Sequence, residues 1–441
     1  MAALQKPIGF SPQEISSMVN EIVVRQHAEN AAFLWTQRDR AIAEPHYRLK
    51  DIARLDERVE ANVDGLRVAG EVGWKLCEEG LEQQGPGEVF AAAVLAFAGT
   101  NPTRIEKVLD MSQAAPRLHR PVVAALGWLD ADQSKPHLAG LLTSENPLKR
   151  QIGIAGFTVH CLDPGAVLTK AISDTDPGVR GRALKAVGEL GRVDLLSHVR
   201  RATVEEDLRI RSRALWSAVR LGDRTPELMR RLRAVAESGG EFAESACALV
   251  LRCLPLEEAK NWRRQLRDDP QRLRLAVKGI GMIGDPELVP ELLVLMEKKE
   301  TSRSAGESFS LITGADLAYQ DLERDEPQEA VSLGEAKLSD QGDDELELEI
   351  VDDPDANLPW PHPELVNKWW RQHQGDYRAG VRYLCGKEIT SSNLTEVLKA
   401  GYQRQRVAAA LELALKEPRL PLFEVRGRGQ RQQKSLGLWS W

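Results

Sequence analysis

Cysteine is scarce in this chain of 441 residues. Five are present, at positions 77, 161, 247, 253 and 385, and none forms a CxxC pair. This spacing argues against a disulfide framework or a Cys/His zinc site and predicts reduced thiols in a cytosolic protein.

No apolar run approaches the roughly 20 residues that span a bilayer. The first ten residues, MAALQKPIGF, lack the pattern of a signal peptide. We therefore expect a cytoplasmic location.

Motifs of common catalytic and metal sites are also lacking. None of the eight histidines precedes a glutamate, as the ligand pairs of diiron hydroxylases would require. HExxH, GxSxG and P-loop patterns are absent from the sequence. The glycine-rich GIGMIG at 279–284 is interpreted as packing glycines on a helix, and His27 and His46 as hydrogen-bonded structural residues. We expect no enzyme activity, no cofactor and no metal.

Charge is distributed unevenly along the chain. Segment 320–358 contains 15 acidic and 2 basic residues, a net charge of −13. The whole chain carries −7, so the remainder carries +6. A segment this charged and this poor in apolar residues predicts a disordered linker, assigned to 319–358. The short ELELEIV alternation at 345–351 could form a strand. The opposite charges also suggest autoinhibition, in which the acidic segment shields the basic body.

The stretch DTDPGVRGRALKAVGELG at 174–191 has the pattern of a capped helix. Asp176 can accept first-turn N–H groups, Pro177 suits the first helical position, and Gly191 suits the position after the helix. The pattern recurs with a period near 31, which fits two short helices and two turns. Under this shift Val179, Ala183, Ala186 and Gly191 become Ile210, Ala214, Ser217 and Gly222.

The DxDPxVRxxAxxAxGxLG pattern of residues 174–191 resembles HEAT repeats, especially the short variety of the phycobilin-lyase proteins. The resemblance implies an all-α fold: an α-solenoid of HEAT-like helix pairs with a helical N-terminal cap, a disordered acidic linker and a small, mostly helical C-terminal module. The corresponding domains are 1–86 for the cap, 87–318 for about seven repeats, 319–358 for the linker, and 359–441 for the C-terminal module with its basic tail.

A second resemblance extends over nearly the whole chain. It rests on five segments: HAENAAFLW at 27–35, PHYRLKDIARLDERVEANVDGLRVAGEVGW at 45–74, GESFSLITGADL at 306–317, LPWPHPELVNKWW at 358–370 and GYQRQRVAAALELAL at 401–415. These segments resemble a proteobacterial family of HEAT-repeat proteins that has no assigned activity. Genes of that family often lie near type VI secretion components. The resemblance implies an adaptor or chaperone for a secreted effector or secretion component, or an immunity protein.

One helix of each repeat is expected to line a concave face, and its solvent positions form a predicted ridge. The ridge mixes Arg, Lys, Trp and Met, which suits a protein-binding surface. Its residues are Arg182, Lys185, Arg213, Trp216, Arg220, Lys278 and Met282. We expect a protein partner there, no membrane insertion and no nucleic acid. A second column, Lys149, Arg180 and Arg211, is predicted to pair with turn aspartates such as Asp174 and Asp176.

The alternative function is a DNA-binding or DNA-glycosylase-like HEAT protein. Trp216 lies in sequence among Arg211, Arg213 and Arg220, and arginines cluster in RRLRAV at 230–235 and NWRRQLRDD at 261–269. Nucleic-acid binders usually have an overall basic domain with a continuous stripe. Here acidic residues interrupt the clusters, and the isoelectric point of the chain is about 5.8. The sequence therefore favours the protein-binding scaffold.

Overall fold

A computed structural model describes residues 19–113, 115–326, 353 and 355–438. By Cα packing the chain divides into two compact units. The first unit comprises Met1–Leu221 with Glu417–Trp441, and the second comprises Gly222–Lys416. This division by packing does not test the four domains expected from composition and repeats, which stay a prediction. No helix in the described ranges is long and apolar enough to cross a membrane.

The described part of the first unit is built of α-helices. They are α1 Glu21–Ala41, α2 Leu49–Val68, α3 Glu71–Gly80, α4 Pro86–Ala98, α5 Pro102–Gln113, α6 His119–Trp128, α7 Ala131–Leu142, α8 Pro147–Val159, α9 Ala166–Ala171, α10 Pro177–Glu189, α11 Leu196–Ala202 and α12 Leu208–Arg220. The helix expected to open at Ser11 lies partly outside the described residues, and α1 begins after the cap Asn20.

The second unit adds helix pairs followed by a mixed C-terminal part. Among the described residues of this unit the helices are α13 Pro226–Glu237, α14 Ala243–Cys253, α15 Leu256–Arg267, α16 Leu273–Ile283, α17 Val289–Leu295, α18 Lys299–Thr313, α19 Pro363–His373, α20 Ser391–Ala400 and α21 Gln403–Lys416. The strands described there form two antiparallel pairs, β1 Glu323–Arg324 with β2 Trp360–Pro361 and β3 Tyr383–Leu384 with β4 Lys387–Glu388. The hairpin expected within 377–390 is therefore confirmed.

The predicted caps and turns form where the repeat pattern places them. The Asp176 side chain accepts the Val179 N–H at 2.8 Å, and Asp207 does the same for Ile210 at 2.9 Å. Gly191 then ends its repeat helix with a φ of +70°, a left-handed conformation that favours glycine. Cys161 adopts the same conformation after α8, with a φ of +54°. The repeat unit is thus encoded by local backbone requirements.

The expected basic column is shifted by one residue at its first member. Arg150, rather than Lys149, occupies the position of Arg180 and Arg211. Each of these arginines donates from Nη1 to two turn carbonyls five and six residues earlier, at 2.8–3.0 Å. Arg150 also pairs with Asp174 of the next repeat, and Lys149 pairs with Glu106. The predicted pairing of Arg180 and Arg211 with turn aspartates is wrong, because their guanidinium groups close their own turns.

In the first unit, α1, α4, α6, α8, α10 and α12 pack side by side as one layer, here called the inner layer. Helices α5, α7, α9 and α11 flank it. Small residues permit the close approach: a Cβ on Gly188 of α10 would lie 2.8 Å from the Cβ of Ser217 of α12. Ser217 of α12 donates to the Leu184 carbonyl of α10 at 2.8 Å. The predicted all-α solenoid of helix pairs is confirmed within this unit.

The second unit repeats the arrangement with α14, α16 and α18 as its inner layer and α13, α15 and α17 as flanking helices. Ser308 of α18 donates to the Val277 carbonyl of α16 at 3.0 Å, so a serine again joins neighbouring inner helices. The carbonyls that end these helices meet segment 377–386. Gly284 O accepts the Tyr383 N–H at 2.8 Å, and Ile312 O accepts the Gly386 N–H at 2.9 Å.

Residues 417–438 return to the first unit, where 429–435 form α22, and are called the C-terminal strap. The strap follows the carboxyl ends of inner-layer helices. Leu422 donates its N–H to Glu189 O at 2.7 Å, and Arg431 donates to Gly127 O at 2.8 Å. Helix ends leave carbonyls without intrahelical donors, so the strap supplies hydrogen bonds that these helices need.

Buried arginines of the first unit donate hydrogen bonds to backbone carbonyls of the strap. Arg220 is fully buried and donates to the carbonyls of Pro418 and Leu420. Arg38 donates at 2.7 Å to each of the carbonyls of Arg426 and Gly427 and pairs through Nε with Asp56. The strap is thereby joined to helices that lie far from it in sequence.

We predict that Arg220→Met destabilises the first unit by about 2 kcal/mol, because two strap carbonyls lose a charged donor. Denaturant unfolding measures the free energy, and limited proteolysis reports release of the strap. Arg201→Met is the control, since Arg201 is exposed on α11. An unchanged midpoint and cleavage rate for Arg220→Met would show that these hydrogen bonds do not hold the strap.

Candidate functional site

The structure places the predicted ridge residues of the first unit on neighbouring inner helices, α10 and α12. Arg182, Lys185 and Arg213 are partly buried. Trp216 is 8% exposed and Arg220 is 0% exposed, so these two do not occupy the solvent positions expected for them. The two side chains are buried for different reasons. Helices α10 and α12 pack closely around Trp216, and Arg220 donates to backbone carbonyls of the strap. Their partner-binding role stays a prediction.

Lys185 and Trp216 form a cation–π contact between α10 and α12. The Lys185 Nζ lies 3.0 Å from the centre of the Trp216 ring. Burial lowers the pKa of Lys185 to about 7, and the positive charges of Arg182, Arg426 and Arg213 act in the same direction, against the opposing charge of Glu189. Lys185 therefore changes its charge near neutral pH, unlike an exposed lysine.

Arg182 is held between α8 and α10. Its Nη2 donates to Thr158 Oγ1 at 2.6 Å and to Glu189 at 2.5 Å. Burial would raise the pKa of Glu189, but Arg182 and Lys185 outweigh it, and the net pKa is lowered. Glu189 thus stays a carboxylate in this partly buried position.

The two remaining ridge residues, Lys278 and Met282, belong to the second unit. Lys278 pairs with Glu244 of α14. Met282 is 8% exposed, so the expected solvent position is again wrong for this side chain. Its backbone carbonyl accepts from Arg382, which also pairs with Glu412. The chain after α19 thus returns to the ends of α14 and α16, where Arg382 also donates to the Arg252 carbonyl.

A cavity of about 440 Å³ lies within the first unit, against the inner layer. Two predicted ridge residues, Arg182 and Arg213, line it. The remaining lining residues come from α1 and its C-cap Ile42, from α6, α8 and α10, and from the strap: Trp35, Arg38, Asp39, Ile42, His119, Arg120, Val123, Ala124, Gly127, Trp128, Ala155, Thr158, Val159, Glu189, Glu424, Arg426, Gly427 and Arg428. We call this the inner-layer cavity.

Sequence reasoning missed most of this cavity. The aromatic and charged residues of LWTQRDRAI at 34–42 are compatible with an ordinary helix, and the basic composition of the tail gives it no position in the fold. The sequence contains one signal of this position. The tail that includes Arg426 and Arg428 is so basic that it needs an interaction partner. Their position beside α6 and α10 follows only from the return of the strap.

The cavity wall is rich in charge, and its carboxylates are paired. Asp39 pairs with Arg120 at 2.7 Å and Glu424 with Arg426 at 3.3 Å. His119 adds a ring whose pKa is lowered by burial, which favours the neutral form. The wall can therefore offer hydrogen-bond donors beside apolar surface.

The two histidines singled out in the sequence, His27 and His46, contact side chains of the protein itself. His27 Nδ1 lies 3.0 Å from Asn62 Oδ1. His46 packs against the Tyr47 ring with centroids 4.6 Å apart. Among the residues that the structure describes, no cluster of three or more His, Cys, Asp or Glu side chains could hold a metal ion. The residues of GIGMIG lie on α16 and its cap, as the packing interpretation predicts.

The arginine-rich runs are engaged in ion pairs within the second unit. Glu227 pairs with Arg230 and Arg231 of the same helix. From α13 and α15, Arg233 pairs with Glu258, and Arg263 makes two bonds to Glu291 at 2.6 and 2.8 Å. Trp216, the aromatic of the alternative hypothesis, is buried against Lys185. These contacts do not favour a nucleic-acid surface.

The described end of the acidic segment contacts the inner layer of the second unit. Asp355 pairs with Arg274, whose Nε and Nη2 lie 2.8 and 2.7 Å from its two oxygens. Arg303 pairs with Asp353 and lies over the Trp360 ring. Of the linker predicted to be disordered at 319–358, residues 327–352 and 354, and with them the ELELEIV strand, lie outside the described residues. Glu323–Arg324 forms β1 against Trp360–Pro361, so the expected disorder is wrong for that end of the segment.

Comparison with known families agrees with the repeats. Residues 165–252 match the family model of HEAT repeats. This match covers α9 to α12 of the first unit and α13 with nearly all of α14 of the second. Together with the helix pairs, it supports a HEAT-repeat protein. No curated protein matches the chain.

We predict that Lys185 makes stability pH-dependent between about pH 7 and its ordinary pKa of 10.5. The unfolded chain keeps the lysine proton across this window whereas the folded chain has lost it, so folding is favoured as pH rises. The free energy of unfolding, measured for wild type minus Lys185→Met, should increase with pH across the window. A difference that stays constant with pH would contradict the lowered pKa.

Proposed function

We propose that this protein is a non-enzymatic protein-binding scaffold and that a partner binds along the inner layer of the first unit. One observation carries the proposal: the inner-layer cavity brings Arg182 and Arg213, two residues of the predicted ridge, together with aromatic and further arginine side chains. Arginine and tryptophan are enriched among residues that dominate binding energy. HEAT repeats suggest protein interaction in general, which supports the same function.

The finer proposal concerns the partner. The resemblance of segments such as 27–35 and 358–370 to a family encoded near type VI secretion components supports a secreted effector or secretion component. The protein would then serve as an adaptor or chaperone, or as an immunity protein. A scaffold suits each of these tasks, because each requires tight recognition of one partner rather than chemistry.

A partner on the inner layer should depend on Arg213, which lies at the cavity edge. We predict that Arg213→Glu lowers partner recovery about tenfold or more, because reversal of one interface charge costs at least about 1.4 kcal/mol. The protein is tagged in its native host, purified gently, and its companions are quantified by mass spectrometry. Arg213→Gln serves as the milder variant.

Arg201→Glu is the matched control, because it reverses an exposed arginine on the flanking helix α11. Circular dichroism confirms that all variants are folded. Equal recovery of every companion with Arg213→Glu and Arg201→Glu would contradict the proposed surface. Recovery of nucleic acid alone, lost at high salt, would support the DNA-binding alternative instead.

A further inference from the structure

A second cavity of the first unit lies between α1, α3 and α4, and we call it the α1–α4 groove. Its lining comes from residues between 25 and 36 of α1, residues between 76 and 83, and Glu88 and Ala91 of α4. Its volume of about 510 Å³ falls within the range of about 300–1,000 Å³ typical of ligand sites. The groove has no lining residue in common with the inner-layer cavity, so it is a separate place for an occupant.

Small side chains create the space in the groove. Ala28 and Ala32 of α1 and Ala91 of α4 line it. The two helices approach closely at Gly87, where a Cβ would lie 2.2 Å from the Ala32 carbonyl oxygen. Because each alanine presents only a methyl group, the helices stay in contact while room remains between their outer surfaces. This room is bordered by apolar side chains.

An exposed aromatic ring stands at the groove. Phe33 lines it and is 59% exposed. Ile22, which is 72% exposed, precedes Phe33 by eleven residues and therefore lies on the same face of α1 about three turns away. The two side chains are about 16 Å apart along the helix. An elongated occupant such as an amphipathic segment can cover both, whereas a small molecule cannot.

Two carboxylates of the groove have no partner. Among the residues that the structure describes, neither the Glu29 nor the Glu88 side chain makes an ion pair or a hydrogen bond. Glu29 is exposed and Glu88 is partly exposed, so both can face an occupant. Glu79 is the third carboxylate, and it pairs at 3.2 Å with Arg25, the one cation among the described lining residues.

Ion pairs around the groove do not remove this negative charge. Arg25 is shared between Glu21 and Glu79, and Lys75 lies 3.9 Å from Glu79. With these neighbours included, four glutamates face two cations, and the two unpaired glutamates are the surplus. A negative surface repels nucleic acid and anionic lipid and attracts cationic groups. The occupant therefore needs positive charge beside apolar side chains.

We propose that the α1–α4 groove binds a basic amphipathic segment of a partner protein. Its apolar side chains pack on Phe33 and Ile22, and a lysine or arginine lies beside Glu29 and Glu88. The charge complementarity selects this occupant. The inference goes beyond the proposed function, because it assigns a second surface that does not include Arg213.

The test compares two labelled peptides on the full chain, GSLKALLKGS and GSLQALLQGS, by fluorescence anisotropy. The peptides differ only in the charge of two residues. The lysine peptide should bind at least fivefold more tightly, with an affinity that falls as salt rises. Glu29→Gln should weaken its binding about fivefold, and Glu57→Gln, at an exposed position of α2, should leave it unchanged. Equal binding of both peptides, or no effect of Glu29→Gln, would overturn the proposal.

Charge reversal provides a second variant for the same site. Glu29→Lys should weaken binding of the lysine peptide and strengthen binding of GSLEALLEGS, in which glutamates replace the lysines. Phe33→Ser should weaken the lysine and the glutamine peptides alike, because it removes apolar contact without changing charge. A loss of binding for all three peptides with Glu29→Lys would contradict the electrostatic basis.

Two other occupants give different results in these experiments. The described residues follow a segment that contains Lys6 and Phe10. Combined Lys6→Gln and Phe10→Ser substitutions should leave affinity for the lysine peptide unchanged. A fivefold rise would assign the groove to this segment and refute a partner as occupant. Self-association in sedimentation velocity that Glu29→Gln abolishes would assign the groove to a second copy, with the same consequence.

The outcomes also separate this inference from the proposed function. If partner recovery depends on Arg213 but the lysine peptide does not bind, the scaffold proposal stands and the inference about the α1–α4 groove falls. If the lysine peptide binds through Glu29 but Arg213→Glu has no effect on partner recovery, the groove stands and the proposed inner-layer surface falls.

Discussion

A pair of short helices cannot bury its apolar faces alone, and the rest of this structure depends on that constraint. Each inner helix must approach its neighbour closely, which requires small residues where the backbones meet. Gly188 lies against Ser217, and Ser217 bonds to the backbone of the preceding inner helix. The close packing of α10 and α12 also covers Trp216, which is buried although it lies on the expected concave side.

The ends of the inner helices impose a second requirement. Stacked helices bring their carboxyl ends to one edge, where unpaired carbonyls accumulate. In the first unit, the strap meets this need with its backbone and with Arg431. In the second unit, Tyr383 and Gly386 donate to helix-end carbonyls in a similar way. Segments far along the chain thus complete hydrogen bonding that the repeats leave open.

The same arrangement produces the inner-layer cavity. The strap follows helix ends and therefore brings Arg426 and Arg428 beside Arg182, an inner-layer residue. Several guanidinium groups then share one partly buried space, which favours a nearby carboxylate and disfavours the Lys185 ammonium.

The sequence by itself determined the helix pairs, their caps and their turns. Asp176, Asp207 and Gly191 act through hydrogen bonds and backbone angles within a few residues, so their roles could be predicted from spacing. Only the tertiary structure decided the burial of Arg220 and the walls of the inner-layer cavity. Arg220 meets Pro418 across about two hundred residues, and Arg428 reaches α6 across three hundred. No local pattern encodes such contacts, because they depend on where the strap returns after all other elements have packed.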